Sequence, residues 1–159
     1  MQRHNLGLIL ESEYLLIAIH SNVEDFKLAF LINKHLKLNL KRTTTDLDLF
    51  KKEGHISFSV FEFYDTEKED IIYLINNSVK TVTEKTTSAG SLFDSSSEEI
   101  THYLIPEYKQ TEYFLKIVTD YPEYYKINLL PQLNSIQFLN TAYIVDQSKL
   151  KSKNNLNFD

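Results

Sequence analysis

The run Tyr14-Leu-Leu-Ile-Ala-Ile-His20 restricts the possible folds more than any other stretch of the chain. It is far shorter than the roughly 20 apolar residues that a membrane-spanning helix requires. It also lacks the alternation of a half-exposed strand, and so reads as a strand central in a sheet. The next four residues indicate a change of element. Ser21-Asn-Val-Glu24 has the spacing of a capping box, in which the Ser hydroxyl and the Glu carboxylate satisfy the first amides of a helix. That helix is predicted over about 22–36, with Phe26, Ala29, Phe30 and Leu36 along the core side and Leu28, Leu31 and Ile32 broadening it. The stretch 38–43 then alternates and returns as a strand, far enough after the first for a parallel crossover.

Residues 55–63 give the clearest strand pattern. Ile56, Phe58 and Val60 alternate with polar residues, and then the phase slips to Phe61 and Phe63. Such a slip marks a bulge, or a strand passing between two packed faces. Residues 65–70 read as a charged turn and 71–75 as its hairpin partner. In the second half, 101–105 is extended because Ile105 precedes a proline, and Tyr113–Val118 is a further strand. Asp120-Tyr-Pro-Glu123 has the form of a helix start, running to about Leu130 and stopping before Pro131. Residues 138–145 give the last strand. The expected fold is α+β: a mixed sheet with helices on one face, made of ferredoxin-like β-α-β halves joined by a β-hairpin. One domain is expected over 1–146, with a Ser/Thr-rich mobile loop at about 83–100 and a polar C-terminal tail over 147–159.

A chain of 159 residues can bury about 70% of its unfolded surface, so a core forms without staples. The composition removes several chemistries. There is no cysteine, hence no thiol nucleophile, disulfide or thiolate metal site. The glycines, Gly7, Gly54 and Gly90, each stand alone, which excludes Walker and dinucleotide-binding loops. No cofactor motif is left. The net charge of −5, with only Arg3 and Arg42 as arginines, argues against a phosphate-tracking nucleic-acid surface. Glu11 and Glu13 interrupt the apolar stretch 6–10, so no signal peptide is read and a cytoplasmic location without membrane association is expected.

The histidines (His4, His20, His35, His55 and His102) have no metal-ligand spacing, and no metal site is expected. His20-Ser21-Asn22 stands at a strand-to-helix turn that could accept an anion, although Ser21 and Glu24 already account for the first amides and Glu24 with Asp25 would repel one. Glu98-Glu99, Glu107 with Glu112, and Asp120 with Glu123 are near in sequence, but general acid–base work needs environments that separate their pKa values. No catalytic residue is assigned. Tyrosine is the compositional oddity: six of ten lie between Tyr103 and Tyr125. Sheet packing accounts for such enrichment, and so does a partner surface, for which Tyr108, Tyr124 and Tyr125 are the candidates.

Leu104-Ile-Pro-Glu107, followed by Glu112-Tyr113-Phe-Leu-Lys-Ile117, resembles a small bacterial family known as IPExxxDY, as do the stretches 28–34 and 146–151. Here the acid before the tyrosine is Glu112 where the family name has Asp, and four residues instead of three follow Glu107. The resemblance implies a bacterial, intracellular domain and marks Ile105, Pro106, Glu107, Glu112 and Tyr113, without assigning them a role. Read physically, Ile105 closes a strand, Pro106 enforces a turn and Glu107 is placed to accept a backbone amide; the segment is then either a register-fixing turn or a binding loop. The expectation for function is an accessory module that binds a protein partner or a second copy of itself. A small-molecule-sensing ferredoxin-like domain is the alternative, with an RNA-related factor or an acid–base enzyme behind it.

Overall fold

The computed structural model describes residues 14–84 and 97–157. Over these residues the protein is α+β, with two helices and a largely antiparallel arrangement of ten strands. The apolar run forms β1 (Tyr14–His20), which lies between β9 (Tyr113–Val118) and β10 (Thr141–Ile144). The six-stranded sheet has the order β10-β1-β9-β6-β5-β2, where β2 is Lys41–Arg42, β5 Val60–Asp65 and β6 Asp70–Asn76. Every neighbouring pair in it is antiparallel, so the expected mixed sheet is corrected. The crossovers do connect strands of equal direction, β1 to β2 and β9 to β10. Each skips at least one strand, and an antiparallel neighbour fills the gap.

Both helices, α1 (Asp25–Leu36) and α2 (Pro122–Asn134), pack on one face. Leu28, Ala29 and Ile32 of α1 and Tyr125, Leu129 and Leu133 of α2 meet Ile17, Ile19, Ile72, Leu115 and Ile117 of the sheet. The opposite face holds a second core around Leu16, Ala18, Ile75 and Phe114. It is covered by the hairpin of β3 (Leu47–Lys51) and β4 (Gly54–Phe58), by Leu104 and Ile105, and by Leu150 and Leu156. The segment expected to be a polar tail therefore lines a core. Burying each of those leucines is worth about 2 kcal/mol, enough to hold an otherwise polar strand of chain.

Ser59 separates β4 from β5, and its hydroxyl donates to Asp25 Oδ2 at 2.6 Å. The phase slip in the sequence is the point where the chain leaves the hairpin and enters the main sheet. Gly54, with φ +124°, closes that hairpin in a conformation closed to most side chains. A third ribbon pairs β7 (Ser78–Glu84) with β8 (Ser97–Tyr103). The ends of the expected 83–100 loop are thus paired strand, and its centre, 85–96, lies outside the described residues, as do His4 and the 6–10 stretch.

Three local expectations change. The capping box does not form: α1 starts at Asp25, and Glu24 at its cap position makes no side-chain cap bond. Phe26 and Phe30 are each 62% exposed, because Leu28, Ala29 and Ile32 already fill the sheet-facing side. α2 begins at Pro122 without an Asp120 cap and runs through Pro131 to Asn134. Side-chain amides of Asn128, Gln132 and Asn134 donate to the carbonyls of Tyr124, Asn128 and Leu130, supplementing the backbone ladder that the proline interrupts. No helix among the described residues is long and apolar enough to cross a membrane.

Candidate functional site

The motif region is organised by a residue that no sequence pattern singles out. Asn77, fully buried between β6 and β7, donates through its side-chain amide to the carbonyls of Tyr108 (2.9 Å) and Thr111 (2.8 Å), and its Oδ1 accepts from the Ile105 amide at 2.8 Å. Its backbone carbonyl accepts from Leu104 and its backbone amide donates to the Glu112 carbonyl. The loop from 104 to 112 is wrapped around this one side chain. Ile105 is buried, and Pro106 opens a short 3-10 turn, 106–108.

From that loop the marked residues reach different parts of the molecule. Glu107 accepts from the Ser152 amide at 2.9 Å and from its hydroxyl, tying down the C-terminal segment. Burial alone would raise the Glu107 pKa, but these hydrogen bonds together with backbone amides outweigh it and hold the carboxylate below its ordinary range. Glu112 accepts from the Ser21 amide at 3.0 Å and stands 3.8 Å from His20 Nδ1. Tyr113 donates its hydroxyl to the Val23 carbonyl at 2.6 Å, and burial followed by the nearby Asp25 and Glu112 carboxylates pushes its pKa well up. Glu112 and Tyr113 thus brace the β1–α1 turn from below.

That turn and the chain before β10 form the most distinctive surface. Ser21 is buried and donates to the Phe138 carbonyl at 2.8 Å, a bond it makes in place of capping the helix. Phe138 sits at φ +73°, in the left-handed region that costs a bulky residue about 1–2 kcal/mol. The residue is 52% exposed, with Lys27 Nζ 4.7 Å from the ring centre. Lys27 lies on the outer side of α1 with Phe26 and Phe30. Beside the turn, His20 stacks on Tyr143 (centroids 5.6 Å apart), with Nε2 3.2 Å from the Tyr143 hydroxyl.

The three tyrosines expected to form a partner surface do not share one. Tyr108 packs edge-on against Phe114 in the core opposite the helices. Tyr125 is 3% exposed in the helix-side core and donates to Asp70, while Tyr124 alone is exposed. Helical spacing turns adjacent residues to different sides, which sequence proximity conceals. The histidines are equally dispersed: His55 pairs with Asp48, His102 bonds Thr81, and His35 is exposed. Glu107 and Glu112 serve separate partners, Ser152 and Ser21. Among the described residues no group of three His, Asp or Glu side chains is placed to hold a metal ion. An open depression of about 540 Å³ beside the β3–β4 hairpin has Asp46, Asp48 and Glu62 on its walls, but Asp46 is engaged by Arg42, Asp48 by His55 and Ser57, and Glu62 by Tyr73.

The residues that sequence reasoning misses are Asn77, Phe138 and Lys116. Lys116, on central β9, is buried, donates to the Leu156 carbonyl at 2.6 Å and faces the rings of Tyr14 and Tyr73. A lysine inside an otherwise apolar strand is the available signal. No family model, curated protein or solved structure matches the chain.

Proposed function

We propose that the protein is a non-enzymatic interaction module, built on a ferredoxin-like core of β10-β1-β9-β6 with α1 and α2, and that it binds a partner protein through the outer side of α1 together with Phe138. The observation that carries this reading is Phe138: a large, half-exposed aromatic side chain on strained backbone, capped by Lys27 of α1, a helix whose outer side carries two further exposed phenylalanines one helical turn apart. Backbone strain and exposed aromatic surface each work against a stable, soluble monomer, and contact with another protein turns both to use. The IPExxxDY-like residues then have a supporting task, since Glu112 and Tyr113 fix the turn from which α1 departs.

A photo-crosslinking phenylalanine analogue placed at Phe30 in the source cells tests this. One discrete cross-linked protein is expected from position 30, and none from the same analogue at Phe50, which is 84% exposed at a distant hairpin. No adduct at position 30, or equal adducts at both, would contradict it.

A further inference from the structure

The occupant of this surface can be read from its charge. The outer side of α1 presents Phe26, Lys27, Phe30 and Lys34, and Lys37 follows at the left-handed cap. No carboxylate among the described residues forms an ion pair with Lys27, Lys34 or Lys37. The only acid within the helix, Asp25, is half-buried and turned to Ser59 and the Phe26 amide, and Glu24 precedes it at the cap. A molecule of net charge −5 therefore carries an aromatic helix side on which the exposed charges within the helix are positive, with the exposed Glu24 standing before it at the cap.

Strand addition to the main sheet is hindered where an approaching strand would pair. Asn33 bonds both the amide (2.8 Å) and the carbonyl (3.0 Å) of Leu40, just before edge strand β2. Asn134 does the same for Ala142 of edge strand β10 (2.8 and 2.9 Å). In each case a side-chain amide from the preceding helix takes the place of a partner strand. This leaves side-chain docking on the helix.

Resting on the reading of α1 and Phe138 as a docking face, we infer that its occupant is an acidic amphipathic helix of a partner protein, with apolar side chains on Phe26, Phe30 and Phe138 and carboxylates opposite Lys27, Lys34 and Lys37. The overall negative charge repels acidic chains elsewhere on the surface, so the basic strip sets the register.

Fluorescence anisotropy with two labelled synthetic helices of about 16 residues tests it: both carry the same leucine stripe, one flanked by Glu and the other by Lys. The Glu peptide is expected to bind, more weakly as salt rises, and the K27E/K34E/K37E variant to lose roughly tenfold in affinity while keeping a folded circular-dichroism spectrum. Equal, salt-insensitive binding of both peptides, abolished by F26A/F30A, would overturn the acidic occupant while leaving the docking face standing. Binding of neither peptide, or binding that survives F26A/F30A, would overturn both. Self-association lost in F26A/F30A, measured by sedimentation without peptide, would replace the acidic helix by a second copy of the chain.

Discussion

Asn77 and Lys116 are buried polar side chains whose environments make opposite demands. Asn77 bonds three loop backbone groups at once, so Asn77→Ala takes the side-chain partner from the Thr111 carbonyl and the Ile105 amide, while the Tyr108 carbonyl keeps its bond from the Thr111 amide. A loss of about 3 kcal/mol is expected in urea unfolding, larger than a surface substitution produces. Lys116 is different, because burial lowers its pKa to about 8. Between that value and the ordinary lysine range the unfolded chain binds more protons than the folded one, so unfolding free energy rises with pH there. The Lys116 contribution is fully present above the unfolded value and is lost as pH falls through about 8. The change is expected to reach up to about 3 kcal/mol. Above about pH 10 the curve turns down, since burial raises Tyr113 and Tyr125 and the unfolded tyrosines ionise first. Denaturant melts at pH 8, 9 and 10 measure the slope, and Lys116→Met should flatten it. Asn77 leaves no trace in the sequence and Lys116 only that of a lysine in an apolar strand, because the partners of Asn77 lie about thirty positions on and Leu156 lies 40 from Lys116.

At the scale of elements, periodicity reveals the strands that are buried and misses those that are not. β1, β5, β6 and β9 declare themselves through apolar runs or alternation. β7 and β8 hold a single buried residue between them, His102, and the rest is exposed or half-buried, so no apolar pattern marks them. The phase slip at Ser59 reads as a bulge or a passage between faces, and it is the change of sheet. On α1, hydrophobicity alone places Phe26 and Phe30 with the core, since composition does not tell a residue that packs inward from one kept for contact. The turn at Ser21 is visible as a place of interest. Its true partners, Glu112 and Phe138, are 91 and 117 residues away and leave no local trace. The paired asparagines lead to a prediction at this scale. Asn134→Ala should cost about 1–2 kcal/mol and free the β10 edge at Ala142, giving concentration-dependent association by light scattering. A variant that stays monomeric at all concentrations would remove the edge-blocking role.

For the molecule as a whole, the sheet divides the labour. One face is covered by hairpin, loop and C-terminal segment, with Glu107, Asn77 and Lys116 as ties. The other carries the two helices, and its outer layer holds Phe26, Phe30, Tyr121, Tyr124 and Ile127 exposed. The α+β class follows from the order of apolar segments. The all-antiparallel pairing does not, because strand order depends on contacts between distant segments. If the outer side of α1 and Phe138 exists for contact and not for folding, the strain at Phe138 is dispensable to stability and its ring is not dispensable to binding. Phe138→Gly, made in protein carrying the photo-crosslinker at Phe30, puts this to the test. Unfolding free energy should stay the same or rise by up to about 1 kcal/mol as the left-handed strain is relieved, while the cross-linked adduct disappears. Marked destabilisation, or an adduct that forms as before, would contradict the account.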